Sequence, residues 1–244
     1  MGKPYELRNI GLVRPSPCGS SHRPGPVHLI VVAKEPVPGR VKTRLCPPCS
    51  AFEAAGVAEA ALADTLDAAL ASGADRVVLA LDGRPGSWCP GGIVVIGQGP
   101  GSLDRRLAHA WSQGTGSGPA LQIGMDTPQV SAVDLNRAMA ALHDDHVDAV
   151  LGPATDGGWW ALGMRRPRPE AVLGVPTSLP DTGARQAARL AALGMRSRPL
   201  ELQTDIDTWP DAVAVAMRAP ATRVAAAVRA QAARLNPMTS PAGP

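Results

Sequence analysis

The sequence predicts an α/β fold with a mostly parallel central sheet and helices on both faces. Short apolar runs of strand length alternate along the chain with longer Ala- and Leu-rich stretches of helical spacing. Residues 27–33 form a continuous apolar run with β-branched side chains, which is typical of a buried parallel strand. With 244 residues, 45% of them hydrophobic, the chain is long enough for one domain with a sizeable core.

The elements are predicted in chain order from their apolar spacing and from the residues that begin and end them. Ser131 and Asp134 have the spacing of a capping box, and Gly73 closes the first helix. The run 159–164 follows a glycine pair too closely for a crossover helix, so it is expected to be antiparallel. The predicted strands are 27–33, 76–81, 93–96, 120–124, 148–151 and 159–164, and the predicted helices are 51–72, 102–111, 131–142, 182–193, 209–218 and 221–235.

Composition excludes several classes of protein. Of the 24 basic residues, 21 are arginine and three are lysine, and the net charge of +3 is spread along the chain. A nucleic-acid partner would require a clustered basic face, so none is expected. There is no apolar run long enough for a membrane span and no secretory signal in the first 26 residues. A cytoplasmic protein is expected.

Pro, Gly and Ser content sets the predicted domain limits. Residues 1–26 are expected to be a flexible leader, 27–236 a single domain and 237–244 a flexible tail. Cys46 and Cys49 have the spacing of a metal or redox pair, but no second ligand pair follows. They are expected to be ordinary loop residues.

The loop after the first strand contains four cations within eleven residues. They lie beside a glycine, which lets backbone N–H groups approach an anion closely. The segment is not a P-loop, because Val41 precedes the lysine where that motif requires glycine. A solvated loop with incidental charges is the alternative to a phosphate site. The predicted phosphate- or nucleotide-binding residues here are Ala33, Lys34, Gly39, Lys42, Thr43 and Arg44.

Two further loops carry an acid just beyond a predicted strand. Asp126 is placed where one carboxylate could hold Mg²⁺ (or Mn²⁺) against substrate phosphates, although it could instead cap a turn or helix before Pro128. Asp156 is the candidate general base or hydroxyl anchor, with a β-turn role as the alternative. The adjoining Gly157, Gly158 and Trp159 are predicted to contact substrate, and only one of the two adjacent tryptophans should face the site.

Three blocks of sequence together resemble a known family. They are Ala33-Lys34-x-Pro36-x-Pro38-Gly39-x-Val41-Lys42-Thr43-Arg44-Leu45, Gly124-x-Asp126-x-Pro128 and Gly152-Pro153-x-x-Asp156-Gly157-Gly158. In this order they resemble the signature blocks of the rSAM/selenodomain-associated transferase 1 family, over about residues 27–218. The resemblance implies a GT-A-like fold of the nucleotide-diphospho-sugar transferase superfamily and a metal-binding role for Asp126.

The resemblance also suggests further site residues. Asp205 to Trp209 is similar to the segment by which related nucleotidylyltransferases add a second metal ligand. Asp207 is the stronger candidate and Asp205 the alternate, and helix capping is the competing role. In related sheets a Gln-Gly turn contacts the base edge, so Gln98 and Gly99 are predicted to bind nucleotide.

Two reactions suit these residues about equally. One is Mg²⁺-dependent glycosyl transfer from a nucleotide sugar, which the family resemblance favours. The other is nucleotidylyl transfer from an NTP to a small phosphorylated acceptor, and it is favoured by a lone Asp126 where glycosyltransferases have a D-x-D motif. Lys42, Asp126 and Asp156 are the candidate catalytic residues in both. The remaining alternative is a non-catalytic nucleotide-binding protein, and the retention of Lys42, Arg44, Asp126 and Asp156 argues against it.

Overall fold

The computed structural model of the protein describes residues 25–235. The strands are β1 (His28–Lys34), β2 (Arg76–Asp82), β3 (Val94–Gly97), β4 (Ala120–Gly124), β5 (Ala149–Pro153), β6 (Trp159–Met164) and β7 (Ser197–Pro199). The helices are α1 (Ala51–Leu70), α2 (Leu103–Gly114), α3 (Ala132–Ala141), α4 (Thr182–Ala192), α5 (Trp209–Arg218) and α6 (Arg223–Leu235).

The strands form one seven-stranded sheet in the order β3-β2-β1-β4-β6-β5-β7. β6 runs antiparallel to its neighbours β4 and β5, and every other pair is parallel. The predicted α/β fold and the antiparallel direction of 159–164 are therefore confirmed. Because β1 to β5 all run the same way, their carboxyl ends meet at one edge of the sheet, where α/β proteins bind their ligands.

Helices cover both faces of this sheet, as predicted. On one face, α1 packs on β1 and α3 on β4, in a cluster that includes alternate β1 residues such as Leu29 and Val31. On the opposite face, α2 packs on β1 and α4 on β5, in a cluster that includes Ile30. We call these the α1 face and the α2 face. Burial on both faces explains why β1 is a continuous apolar run in the sequence.

A third cluster lies outside α1 and ties distant loops together. The helices α5 and α6 pack on the outer side of α1, and their cluster includes fully buried Leu45 and Ile206. Cys49 is buried in the same cluster, which raises the pKa of its thiol. Cys46 packs against the cluster as well.

Several element boundaries differ from the predictions. α2 continues to Gly114, and α6 begins at Arg223 rather than at residue 221. The strand β7 was not predicted, because its exposed Ser-Arg-Pro sequence has no apolar pattern and it is defined by backbone pairing with β5. The Ser131/Asp134 capping box is confirmed, with a 2.9 Å hydrogen bond from the Ser131 backbone N–H to the Asp134 carboxylate.

The predicted leader and tail fall almost wholly outside the described residues. Only residues 25 and 26 of the predicted leader are described, and none of the tail is. The domain limits of 27 and 236 therefore stay a prediction. Among the described helices, none combines the length and the apolar composition that crossing a membrane would require.

Asp148 fastens the edge strand β7 to the sheet. Its Oδ2 accepts hydrogen bonds from Nε of Arg196 at 2.8 Å and from the Arg196 backbone N–H at 3.0 Å. These bonds to Arg196 lower the pKa of the Asp148 carboxyl to about 2.

We expect Asp148→Asn to lower the free energy of unfolding by about 1 kcal/mol at pH 7, because the paired carboxylate is partly screened by solvent. The folded-state pKa lies below the unfolded one, so this contribution is present above about pH 4 and is lost as the pH falls through about 2. Urea unfolding of the wild-type protein and the variant at pH 7 and near pH 2 tests this expectation. The control is Asp145→Asn, whose side chain is 93% exposed. If Asp148→Asn lowered the free energy of unfolding by as much near pH 2 as at pH 7, the Asp148 carboxylate would not be the source of the stabilisation.

Candidate functional site

A cleft of about 670 Å³ opens at the carboxyl edge of the sheet, within the size range of small-molecule sites. Most of the residues predicted from the sequence line it. Gly39, Gly99 and Gly157 were predicted as well but do not line it. The predicted residues that do are Ala33, Lys34, Lys42, Thr43, Arg44, Gln98, Asp126, Asp156, Gly158, Trp159, Asp205 and Asp207.

Lys42 is held in an unusual backbone conformation. Its φ of 49° lies in the left-handed region, which residues other than glycine seldom adopt. Buried Val41 precedes it and buried Leu45 follows, and these two anchors fix the turn between them. The Lys42 ammonium, whose side chain is only 8% exposed, contacts the Asp126 carboxylate and the backbone oxygen of Ile206. The loop after β1 therefore places the Lys42 ammonium at the end of β4.

The segment before α5 is fixed to the same place. The Ile206 backbone N–H donates to the Asp126 backbone oxygen at 2.9 Å. The Arg44 guanidinium pairs with the Asp207 carboxylate at 2.9 Å. A helix does begin here with Asp211 in its first turn, as the capping alternative predicted, but its cap is Thr208, whose backbone N–H donates to Asp211 at 2.8 Å, rather than Asp207.

Asp205 is the carboxyl group that the site perturbs most. Burial, and then the negative charges of Asp126 and Asp156, raise its pKa to about 7. Its Oδ1 is buried and has no hydrogen-bond partner among residues 25–235. A buried carboxylate oxygen without a partner is costly unless a proton or a cation satisfies it.

These carboxylates fit a magnesium ion that is shared with a substrate. Asp126 and Asp205 are the candidate oxygen ligands. They lie close enough for the charge of Asp126 to raise the pKa of Asp205, and Asp207 flanks them. Residues 25–235 contain no group of three His, Cys, Asp or Glu side chains already arranged for a metal. Mg²⁺ is bound in many phosphate-using enzymes by one or two carboxylates together with waters and substrate phosphates. The donor set agrees with that mode.

The Asp156 turn has a structural role as well as a position in the cleft. Asp156 Oδ1 accepts a 2.8 Å hydrogen bond from the Gly158 backbone N–H, so the β-turn alternative describes its local geometry correctly. The two tryptophans alternate as expected. Trp159 lines the cleft, whereas Trp160 packs on the α1 face and donates to the Glu201 backbone oxygen at 2.9 Å.

Gln98 lines the cleft, but its amide nitrogen is bonded to the sheet. Its side chain is buried, and its amide nitrogen donates to the backbone oxygens of Ala33 at 2.7 Å and Ala80 at 3.0 Å. Both amide protons therefore stabilise the ends of β1 and β2. Only its side-chain oxygen remains free to accept a hydrogen bond.

Sequence reasoning missed two parts of the cleft. Arg106 lines it from α2 and pairs with Asp82 at 3.0 Å. A basic residue near the start of a helix that follows a strand could have indicated it. The segment 177–182 also lines the cleft, except for Asp181. No strand precedes that segment, so the sequence carried no signal for it.

The segment 177–182 is clamped to the Asp156 turn. The Gly183 backbone N–H donates to the Gly157 backbone oxygen at 2.8 Å. A Cβ atom on Gly157, whose φ is +86°, would lie 1.8 Å from the Pro180 backbone oxygen. Only glycine allows this approach.

The sheet order, the inverted β6 and the cleft at the carboxyl edge are those of a GT-A-like fold. This agrees with the fold expected from the sequence. The chain belongs to the family described as "Uncharacterized protein conserved in bacteria (DUF2064)", whose model matches residues 56–179.

Solved structures share this fold at low sequence identity. A "putative nucleotide-diphospho-sugar transferase" from Desulfovibrio desulfuricans G20 is 22% identical with a TM-score of 0.76, over 86% of this chain and 97% of that chain. The 2-C-methyl-D-erythritol 4-phosphate cytidylyltransferase of Thermus thermophilus is 16% identical with a TM-score of 0.50, over 84% and 98%. A CMP:2-keto-3-deoxy-manno-octonic acid synthetase complexed with CTP is 14% identical with a TM-score of 0.50, over 80% and 98%. No curated protein matches the sequence significantly.

We expect Gly157→Ala to destabilise the protein more than Gly174→Ala does. Both glycines have positive φ, but a Cβ on Gly174 would meet nothing within 4 Å. Gly174→Ala should cost about 1–2 kcal/mol for the left-handed backbone alone. Gly157→Ala should cost about 1–3 kcal/mol more, because Pro180 must move. Chemical denaturation measures both, and equal losses would show that the Pro180 contact is not tight.

Proposed function

We propose that this protein is a divalent-metal-dependent transferase that binds a nucleotide through its phosphates. The proposal is carried by one observation: the basic side chains of the β1 loop and the carboxylates beyond β4 and before α5 face one another in a single cleft. Phosphate groups require cations on one side and are commonly held through a metal on the other. A solvated loop would not bring Lys42 to Asp126.

Several basic residues that line the cleft are positioned to bind phosphate. Lys34, Arg40 and Arg44 line the cleft and supply positive charge. Lys42 lies between this charge and Asp126, where it can contact a phosphate oxygen next to the metal position. Asp126 and Asp205 would hold Mg²⁺ (or Mn²⁺), with Asp207 as a further ligand. Bound there, the ion would neutralise developing negative charge on the leaving group.

Nucleotidylyl transfer is the reaction that these charges support best. The acceptor oxygen forms a bond to the α-phosphorus, the bond to the bridging oxygen breaks, and pyrophosphate leaves. Asp156 has one oxygen that is not used by the Gly158 turn, and it can take the proton of an acceptor hydroxyl. Four cations in the β1 loop suit a triphosphate, which carries more negative charge than a nucleotide sugar. The related fold solved with CTP supports this choice.

Glycosyl transfer from a nucleotide sugar is the second candidate. Trp159 lies beside Gly158 in the cleft, where an aromatic ring could stack on a sugar. The similarity to the Desulfovibrio protein supports it. In this reaction the acceptor oxygen bonds to the anomeric carbon, the bond from that carbon to phosphate breaks, and a nucleoside diphosphate leaves.

The released product separates these reactions. The purified protein is incubated with Mg²⁺, a panel of acceptors and either NTPs or nucleotide sugars, and pyrophosphate and nucleoside diphosphates are quantified. Pyrophosphate release supports nucleotidylyl transfer, and nucleoside diphosphate release from a nucleotide sugar supports glycosyl transfer instead. Nucleotide binding without either product would identify a non-catalytic nucleotide-binding protein.

The remaining expectations follow from a nucleotide donor. The acceptor is a small molecule, because the cleft is local and the net charge of +3 supports no extended surface for a nucleic acid. A cytoplasmic location fits the free thiols of Cys46, Cys49 and Cys89.

We expect Asp126→Asn to abolish Mg²⁺-dependent nucleotide binding, because an amide cannot replace the charge that holds the ion. Because Asp126 also pairs with the Lys42 ammonium, thermal unfolding of the variant is measured alongside, so that loss of the metal is separated from loss of the fold. Isothermal titration calorimetry with and without Mg²⁺ measures the effect, and Asp145→Asn, outside the cleft, is the control. Unchanged affinity for the Mg²⁺-nucleotide in Asp126→Asn would remove Asp126 from the site.

A further inference from the structure

The cleft has two chemically different sides. The charged side lies over the α1 face, because Val41 and Met125, the neighbours of Lys42 and Asp126, belong to the core cluster of that face. The other side lies over the α2 face. Leu107 belongs to the core cluster of that face, and Trp159 packs against the same cluster. We call it the apolar wall, and the cleft residues that form it are Leu103, Leu107, Trp159, Leu179 and Pro180.

The apolar wall is fixed in place before any substrate binds. The Leu179 backbone N–H donates to the Thr182 hydroxyl oxygen at 3.0 Å, and the Thr182 backbone N–H donates to the Leu179 oxygen at 3.1 Å. Pro180 is locked against Gly157 by the close approach described above. Although Leu179 is 42% exposed, its backbone is held on both sides. Its side chain is therefore presented to the cleft by a rigid turn.

Charge is distributed unevenly between the two sides. The residues of 177–182 that line the cleft offer the hydroxyls of Thr177, Ser178 and Thr182 and no basic side chain. Arg106 is already paired with Asp82. An anionic group placed against Leu179 and Pro180 would lose water without gaining a cation.

We propose that the apolar wall binds the carbon skeleton of the acceptor, and that this skeleton is aromatic or aliphatic with no anionic group other than the one that reacts. The inference rests on the proposed function, which places the nucleotide phosphates on the charged side. Asp156 lies where the two sides meet, so the reacting oxygen of the acceptor lies there while its body lies along Trp159 and Leu179. Burial of exposed apolar side chains is what favours such a ligand. A phosphorylated sugar is the wrong class of acceptor.

Two matched pairs of probe compounds separate the effect of the acceptor's carbon skeleton from the effect of its charge. The neutral pair is 2-phenylethanol and glucose, and the monophosphate pair is 2-phenylethyl phosphate and glucose 1-phosphate. Binding is measured by isothermal titration calorimetry, both with Mg²⁺ and NTP present and without nucleotide. In each pair we expect the aromatic compound to bind about tenfold or more tightly than the sugar.

A substitution in the wall locates the binding. Leu179→Gln should weaken binding of the aromatic compounds about tenfold while leaving the affinity for the Mg²⁺-nucleotide within about twofold. The control is Leu173→Gln, because Leu173 is 44% exposed but lies outside the cleft. It should change neither affinity.

The outcomes distinguish failure of this inference from failure of the proposed function. Equal or tighter binding of the sugar in both pairs overturns the inference, and so does a loss in Leu179→Gln no larger than in Leu173→Gln. Failure of any Mg²⁺-nucleotide to bind overturns the proposed function. The probe titrations without nucleotide then still decide whether the wall selects apolar compounds.

Discussion

The contact of Lys42 with Asp126 and the Ile206 backbone is the interaction on which the site depends. Three segments that are far apart in the chain, the β1 loop, the end of β4 and the segment before α5, meet at this one ammonium. The Ile206 side chain is fully buried among α1, α5 and α6, so the meeting point is built into the core. Loss of this contact would separate the cations that we propose bind phosphate from the carboxylates that we propose bind the metal.

The sheet explains why this meeting point is also a cleft. The parallel strands end at one edge of the sheet, and the antiparallel strand β6 begins there. The loops that follow the parallel strands and the loop that precedes β6 therefore border the same opening. Helices on opposite faces then give the opening its two sides, one charged and one apolar. The asymmetry suits a transfer between a polyanionic donor and an acceptor of different polarity, because each substrate is excluded from the other's side by its own chemistry.

Much of the fold and of the charged side could be predicted from the sequence. Burial of β1 on both faces produces a continuous apolar run, and Ser131 with Asp134 marks a helix start, so both signals are local. The cations of the β1 loop and Asp126 follow strands directly, which places them at the sheet edge by topology alone. All of these are consequences of short-range patterns.

What the sequence could not supply depends on contacts between distant segments. Among residues 25–235, the Asp205 Oδ1 is buried without a hydrogen-bond partner, whereas Asp207 pairs with Arg44 from the β1 loop. Gln98 lines the cleft, but the buried carbonyls of Ala33 and Ala80 take its amide protons. The Leu179–Pro180 part of the apolar wall depends on Gly157, which lets Pro180 approach. None of these pairings has a spacing that a single sequence reveals.

The central claim is that the charged side binds nucleotide phosphates together with a divalent metal. The most direct measurement is calorimetric titration with the mono-, di- and triphosphates of one nucleoside, in Mg²⁺ and in EDTA. The account predicts that affinity rises about tenfold or more from the monophosphate to the triphosphate in Mg²⁺ and falls sharply in EDTA. Equal affinity for all three nucleotides, or binding that is unchanged by EDTA, would contradict it.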